Sequence, residues 1–331
     1  MSLSTAVLLD KISSISSEED FSNLALEIFH FQYENVQVYQ DYCRILGKTN
    51  PKFIHEIPCI PISLFKSHQI FMQASNAEAL FKSSGTSSTE RSQHFVHDLK
   101  IYETLSQRAF ENFFGPLHDL VIFALLPNYL EQGNSSLVYM VKHFINLTQN
   151  TASGFYLDQV QLLVENLQKA KSAGKKTVLF GVSYALIDLA EKGVDLRDVM
   201  IIETGGMKGR RKEMPKEALH EFLKAGLNVD AIYSEYGMTE LLSQAYCKNT
   251  EPFVPPLWMR VMLREANDPF TFIPKNSNKS GGISIIDLAN LYSCSFIHTD
   301  DLGKYSGTGF LLLGRFDHSD IRGCNQLVSG L

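Results

Sequence analysis

Hydrophobic positions along this chain change their period between its first and last thirds. Between residues 4 and 46 they recur at helical spacing, with Leu8, Leu9 and Ile12 followed by Phe21, Leu24, Ile28 and Phe29. Ser17-Glu18-Glu19-Asp20 puts a hydroxyl and three acids where a helix N-terminus is stabilised by them, so a cap is expected there. Pro51, Pro58 and Pro61 then break residues 51–63 into an extended, turn-rich connector. Leu64-Phe65 and Gln69-Ile70-Phe71 read as short strands. From residue 97 onward strands and helices alternate. The pattern predicts helices over 98–114, from Ser135-Ser136 through Val141, over 159–173 with a stop at Gly174, over 185–191, and over 216–225 with Gly226 as C-cap. Between them fall apolar runs at 120–126, 177–180, 199–202 and 229–233, read as strands of a buried sheet. The last part is β-rich, with strands expected at 258–263, 282–287, 295–298 and 309–313. Alternation followed by strands in succession predicts an α/β core joined to a smaller β subdomain near residue 250.

The chain has 331 residues, 44% hydrophobic and 20% charged, enough for a large core. A net charge of −6 with no long Lys/Arg run argues against nucleic acid as a partner. The start, Met1-Ser2-Leu3-Ser4, lacks a basic segment followed by an apolar one, and no apolar stretch approaches the roughly 20 residues that span a bilayer. Cys43, Cys59, Cys247, Cys294 and Cys324 are odd in number and widely spaced, without a C-x-x-C pair. That fits neither a disulfide framework nor a zinc ribbon, and a cytoplasmic protein with free thiols is expected.

Four segments carry candidate chemistry. Ser83-Ser84-Gly85-Thr86-Ser87-Ser88-Thr89-Glu90-Arg91 packs hydroxyls around a glycine and ends on an arginine, just before the strand-like Gln93-His94-Phe95-Val96. A loop of this kind between two strands can turn several N–H groups and hydroxyls toward one anion, so it reads as a phosphate cradle or as a solvated Ser/Thr turn. Tyr233-Ser234-Glu235-Tyr236-Gly237-Met238-Thr239-Glu240 follows a predicted strand, where α/β sheets place ligands. Thr239 and Glu240 can hold a phosphate and Mg²⁺, a hard cation that takes carboxylate oxygens, or they start a helix over 239–242 with Thr239 as its cap. His298-Thr299-Asp300-Asp301-Leu302-Gly303 offers acids to ribose hydroxyls, or is an Asp-Asp turn. Gly314-Arg315-Phe316-Asp317 follows the last strand. Two weaker features are Gly181-Val182-Ser183-Tyr184-Ala185, a strand–turn–helix without the last glycine of a nucleophile elbow, and the His94/His97 pair, read as structural.

Taken in order, the four segments resemble the acyl-adenylate-forming enzymes. The first resembles the family's phosphate loop, though it lacks the second glycine and the Pro-Lys, with Arg91 at the lysine position. Tyr236 to Glu240 matches the family's Tyr-Gly-x-Thr-Glu without a mismatch. Thr299 to Gly303 matches Thr-Gly-Asp-Leu-Gly with Asp300 for the glycine, and Gly314 to His318 matches Gly-Arg-x-Asp-Asp with His318 for the second acid. From residue 51 on, the chain is similar to the acyl-protein synthetases of bacterial luminescence fatty-acid reductase complexes. That similarity runs through Pro58-Cys59-Ile60-Pro61, Phe65-Lys66, Leu126-Pro127, Asn134-Ser135-Ser136-Leu137, Thr204-Gly205-Gly206-Met207-Lys208-Gly209 and Ile321-Arg322-Gly323-Cys324-Asn325.

The resemblance implies an α/β fold: the large N-terminal domain of the adenylate-forming enzymes, helix-flanked sheets plus a smaller β subdomain, without their mobile C-terminal domain. It divides the chain into a helical segment (1–50), an adenylate-forming core (51–313) and a tail (314–331). It implies ATP and Mg²⁺ as cofactors. Ser83, Ser84, Gly85, Thr86 and Ser87 would cradle phosphates, with Arg91 as the nearby cation. Thr239 would bind phosphate and Glu240 would hold the metal. Gly205, Gly206, Tyr236, Gly237 and Met238 would border the nucleotide, and Asp301 would take the ribose hydroxyls with Arg315 nearby. Cys324 would accept the acyl group, and a thiol preceded by Arg322 and Gly323 suits that chemistry, because the arginine favours the thiolate and the glycine frees the backbone. The implied substrate is a fatty acid or related carboxylic acid, and the implied partner an acyl-accepting reductase or carrier protein. Two alternatives stay open: an acyl-CoA or carrier-protein ligase with Cys324 a bystander, and a non-catalytic nucleotide- or acyl-binding scaffold.

Overall fold

A computed structural model of the protein describes residues 4–72, 76–83, 91–126, 134–205 and 214–316. The chain opens with three helices, α1 (Thr5–Ser13), α2 (Glu18–Asn35) and α3 (Gln37–Ile45). The expected cap forms: Ser17 accepts from Asp20 N at 3.1 Å while the Asp20 carboxylate accepts from Ser17 N at 3.0 Å, a reciprocal capping box. The buried face of α2 includes Phe21, Leu24, Ile28 and Phe29. Next come the two-residue strand β1 (Ile60–Pro61), the short helix α4 (Leu64–Ser67) and a hairpin of β2 (Ala79–Lys82) with β3 (Gln93–Val96). Here the sequence expectation fails. Leu64-Phe65 is helical, and Gln69-Ile70-Phe71 forms no strand although Ile70 and Phe71 are buried. Burial alone makes such short apolar runs look alike in either state.

The α/β core follows as α5 (Leu99–Phe114), β4 (Leu120–Leu125), α6 (Ser136–Thr148), β5 (Gly154–Phe155), α7 (Val160–Ser172), β6 (Lys176–Gly181), α8 (Ser183–Ala190), β7 (Val199–Glu203), α9 (Lys216–Leu227), β8 (Ile232–Tyr236) and β9 (Ala245–Lys248). The strands form one sheet in the order β5-β4-β6-β7-β8-β9, parallel except for the antiparallel β8–β9 edge. Every residue of β4 is buried, as expected of a strand covered by helices on both faces. Two predicted helix ends move. α6 runs to Thr148, well past Val141, and α9 passes through Gly226 to end on Asn228, which takes the left-handed cap at φ 55°. Gly226 serves packing instead: a Cβ there would stand 2.7 Å from the Cβ of Ala190 and 2.8 Å from its carbonyl oxygen, so α8 and α9 approach closely at this point.

The β-rich end comprises β10 (Met259–Arg264), β11 (Ser280–Asp287), β12 (Phe296–Ser306) and β13 (Gly309–Arg315). They form a second sheet, β1-β12-β11-β10, with β13 paired to the far half of β12. The predicted strands at 295–298 and 309–313 are therefore longer than expected, and Asp300, Asp301, Gly314 and Arg315 lie inside strands. Gln32 of α2 ties the helical segment to this part of the molecule. Its amide donates to the carbonyls of Asn290 (2.8 Å) and Leu291 (3.0 Å) and to Ser295 Oγ (3.1 Å), and its oxygen accepts from Ser295 N at 3.0 Å. A fully buried glutamine with all of these bonds fixes one orientation of α2 where an apolar side chain would allow several. Among the described residues no helix is long and apolar enough to cross a membrane.

Candidate adenylation site

The Ser83–Arg91 loop joins the two arms of the β2–β3 hairpin. Its base is closed by Ser83 N donating to Ser92 O at 3.1 Å and Ser92 N donating to Ser83 Oγ at 3.1 Å. Lys82 N donates to Asn134 O at 2.8 Å, which fixes the hairpin against the start of α6, where Ser135 caps the helix. Arg91 is exposed at the foot of the returning arm. Ser84, Gly85, Thr86 and Ser87 lie outside the described residues.

The segment after β8 does not continue as a helix over 239–242. It forms a turn, with Leu241 N bonded to Met238 O at 3.1 Å, and then runs into β9. Side chains from elsewhere hold its main chain almost residue by residue. His94 Nδ1 donates to Thr239 O at 2.9 Å, and Asn290 Nδ2 donates to Glu240 O at 2.7 Å. The Asp287 carboxylate accepts from Leu242 N (2.9 Å), Ser243 N (3.0 Å) and Ser243 Oγ (2.6 Å), and Trp258 Nε1 donates to Ser243 Oγ at 3.0 Å. A helix would need these groups for its own ladder, and the buried acid wins them with a charged acceptor. The Glu240 carboxyl is buried. That burial raises its pKa, opposed by a hydrogen bond from the Ser92 side chain and by the charges of Arg315 and Lys66.

Asp301 and Arg315 face each other across the β12–β13 ladder. Arg315 Nε donates to Asp301 Oδ1 at 3.1 Å, and Tyr236 OH donates to Oδ2 at 2.7 Å. Asp301 is buried while the Arg315 side chain is 79% exposed, so the guanidinium marks the edge open to a ligand. A carboxylate offers about four acceptor positions, and these two bonds leave room for others. The structure thus links Ser83 to Glu240 through Ser92 and Tyr236 to Arg315 through Asp301, with Thr239 held by His94, and the Arg315 charge acts on Glu240. Gly237 is exposed, and Met238 and Thr239 are half-buried beside it.

Gly205, at φ 71°, turns the chain at the end of β7 and donates its N–H to Glu203 Oε1 at 2.7 Å. Gly206 lies outside the described residues. Glu203 also accepts from Ser183 Oγ, so the serine of the elbow-like turn is engaged by a carboxylate rather than by a histidine base. Sequence reading missed a second acid here. Glu235 is half-buried on β8, and burial together with the Glu203 charge pushes its pKa up to about 8. Its folded pKa lies above that of the unfolded chain, so its contribution to stability is present below about pH 4.5 and is lost as pH rises toward 8. An E235Q chain is therefore expected to gain on the wild type between pH 5 and pH 8, on the order of 2 kcal/mol, in parallel denaturant titrations. Equal pH slopes for the two chains would refute the assignment. Ser92, Asp287 and Asn290 were missed as well, since each acts across a long sequence separation, whereas His94, read as structural, is buried and bonded to Thr239 O and Ser293.

Solved structures of the adenylate-forming fold superpose on the chain. ATP-bound MatB from Rhodopseudomonas palustris aligns at TM-score 0.55 and 15% identity, over 73% of this chain and 48% of its own. A 2-hydroxyisobutyryl-CoA ligase, with 2-HIB-AMP in the postadenylation state, aligns at TM-score 0.66 and 9% identity, over 91% of this chain and 68% of its own. The McyG A-PCP structure with phenylalanyl-adenylate aligns at TM-score 0.52 and 11% identity, over 75% of this chain and 48% of its own. The chain thus spans about half the length of two of these proteins. No curated protein sequence matches it. The family is nevertheless defined: the pattern of the acyl-protein synthetase family, LuxE, matches residues 10–330, and the chain belongs to that family.

Proposed function

We propose that this protein activates a fatty acid with ATP, forms the acyl-adenylate, and passes the acyl group to its own Cys324 and then to a reductase or carrier protein. The observation that carries the first step is the convergence of the phosphate-loop hairpin, the buried Glu240 and the Tyr236–Asp301–Arg315 cluster on one edge. A carboxylate oxygen of the acid attacks the α-phosphorus, the bond to the bridging oxygen breaks, and pyrophosphate leaves. The loop donors and Thr239 orient the phosphates, Asp301 accepts from the ribose hydroxyls, and Arg315 fixes the Asp301 carboxylate through its Nε bond.

The residues present fit a magnesium ion of the kind that accompanies ATP. Such an ion is held by one or two carboxylates together with phosphate oxygens and water. Glu240 supplies one carboxylate, and a nearby cation would relieve the burial that raises its pKa. Among the described residues no group of three or more His, Cys, Asp or Glu side chains could hold a metal ion. When bound, the ion offsets charge on the phosphates.

A screen of ATP–pyrophosphate exchange over carboxylic acids of graded length tests the reading. Exchange dependent on one class of acid is expected, with long aliphatic acids preferred. A chain that binds ATP yet exchanges with none of a broad panel would instead be a scaffold.

A further inference from the structure

The β3 arm of the hairpin touches the Thr239–Glu240 turn twice. Strand alternation puts Ser92, His94 and Val96 on one face, and all three are buried. Ser92 bonds the Glu240 carboxyl through its side chain. Two residues on, His94 bonds the carbonyl of Thr239 at 2.9 Å, while its other nitrogen meets Ser293 Oγ at 2.9 Å. A carbonyl only accepts, so Nδ1 carries the proton. The ring is neutral, because burial lowers its pKa to about 4, and Nε2 therefore accepts from the Ser293 hydroxyl. Phe65 closes the site edge-on, with ring centroids 5.7 Å apart.

We propose that His94 is a positioning residue for the metal carboxylate: by holding the Thr239 carbonyl it fixes the turn that carries Glu240, and β3 becomes a strut that joins the phosphate loop to Glu240. The placement is economical in sequence. Ser92 bonds Ser83 and also Glu240, so the end of β2 and the carboxylate are tied through a single residue, with His94 as the second anchor. A strand held at two points two residues apart transmits a displacement that a lone contact would absorb by side-chain rotation. The inference rests on Glu240 being the metal ligand, as proposed above.

Asparagine and glutamine separate the two ends of the ring. The Asn amide nitrogen falls near the position of His Nδ1, and the Gln amide near that of Nε2. H94N therefore keeps a donor for Thr239 and loses Ser293, whereas H94Q keeps Ser293 and loses Thr239. Mn²⁺ is the probe: its binding to the full-length protein in the presence of saturating ATP is followed by electron paramagnetic resonance. H94N and S293A should bind within about threefold of wild type, and H94Q should bind at least about tenfold more weakly, the scale of one lost hydrogen bond. In pyrophosphate exchange, H94Q should raise the Mg²⁺ concentration for half-maximal rate and leave the KM for the acid unchanged. A purely structural role predicts equal losses for H94N and H94Q, each having lost one buried bond, and that equality would overturn the proposal. E240Q in the same titration separates the two claims. If E240Q weakens Mn²⁺ binding and H94Q does not, the strut is wrong and the metal ligand stands. If E240Q binds Mn²⁺ like wild type, the assignment of Glu240 fails and the strut fails with it.

Discussion

Replacing Glu240 by glutamine is expected to slow acid-dependent pyrophosphate exchange by about 10²–10³-fold, the loss seen when one preorganised charge-stabilising group is removed from an active site. The same substitution should leave the unfolding midpoint at pH 7.5 unchanged or raise it. The two effects have separate causes. Glu240 is buried, and burial raises its pKa above that of the unfolded chain. An acid with a raised folded pKa contributes stability below its unfolded pKa and loses it as pH rises through the folded value, so at neutral pH the ionised side chain is a cost to folding. Glutamine removes that cost and keeps an acceptor for Ser92, while it removes the negative charge that a metal–nucleotide complex needs. A residue present only for packing would show the reverse, lower stability with activity preserved. The measurement is exchange rate against unfolding midpoint for E240Q and wild type. Unchanged exchange in a folded E240Q chain would remove Glu240 from the site.

That separation of function from stability explains which parts of the molecule could be read from the chain. The α/β alternation was legible because buried parallel strands are apolar runs and helices keep a 3.6-residue period, and both signals are local. The Ser17 capping box was legible for the same reason. The site motifs were legible as sequence segments, and the structure adds that Tyr236, Asp301 and Arg315 are bonded to one another. What surrounds them was not. The turn at 239–243 reads as a helix start by composition, because Thr-Glu-Leu-Leu satisfies local preference. It is overruled by Asp287, Asn290 and His94, which lie between 44 and 145 residues from the turn residues they bond and leave no local trace. Gly226 is the converse case. Its sequence context suits a C-cap, and only the approach of Ala190 shows that it is there for helix packing. Glu235 was passed over because a glutamate on a strand reads as solvated, whereas its neighbour Glu203 and its burial make it one of the most perturbed acids in the protein.

Replacing Cys324 by serine is expected to abolish the hydroxylamine-sensitive acyl group on the protein while leaving pyrophosphate exchange within about twofold of wild type. Cys324 lies outside the described residues, and the structural argument comes from the other four cysteines. Cys43, Cys59, Cys247 and Cys294 are all free and all buried. Burial pushes the thiols of Cys43 and Cys59 up to about 12 and that of Cys294 well above its ordinary value. At neutral pH these are thiols, and the thiolate is the nucleophile. Cys247 meets a cation, Lys216 Nζ at 3.0 Å, yet its burial still outweighs that charge and raises its pKa. In the proposed transfer the sulfur attacks the acyl carbon, the bond from that carbon to the phosphate oxygen breaks, AMP leaves, and the thiol proton passes to solvent. Four of the five cysteines are poorly suited to that step, so the acylation should follow Cys324 alone. Labelled tetradecanoate with ATP and Mg²⁺, followed by intact mass and hydroxylamine release, makes the comparison across five single Cys→Ser chains. Label retained on C324S and lost on another would move the acceptor to that residue. Acyl-adenylate formed at full rate with no protein-bound label on any chain, the wild type included, would instead establish transfer to a free thiol acceptor.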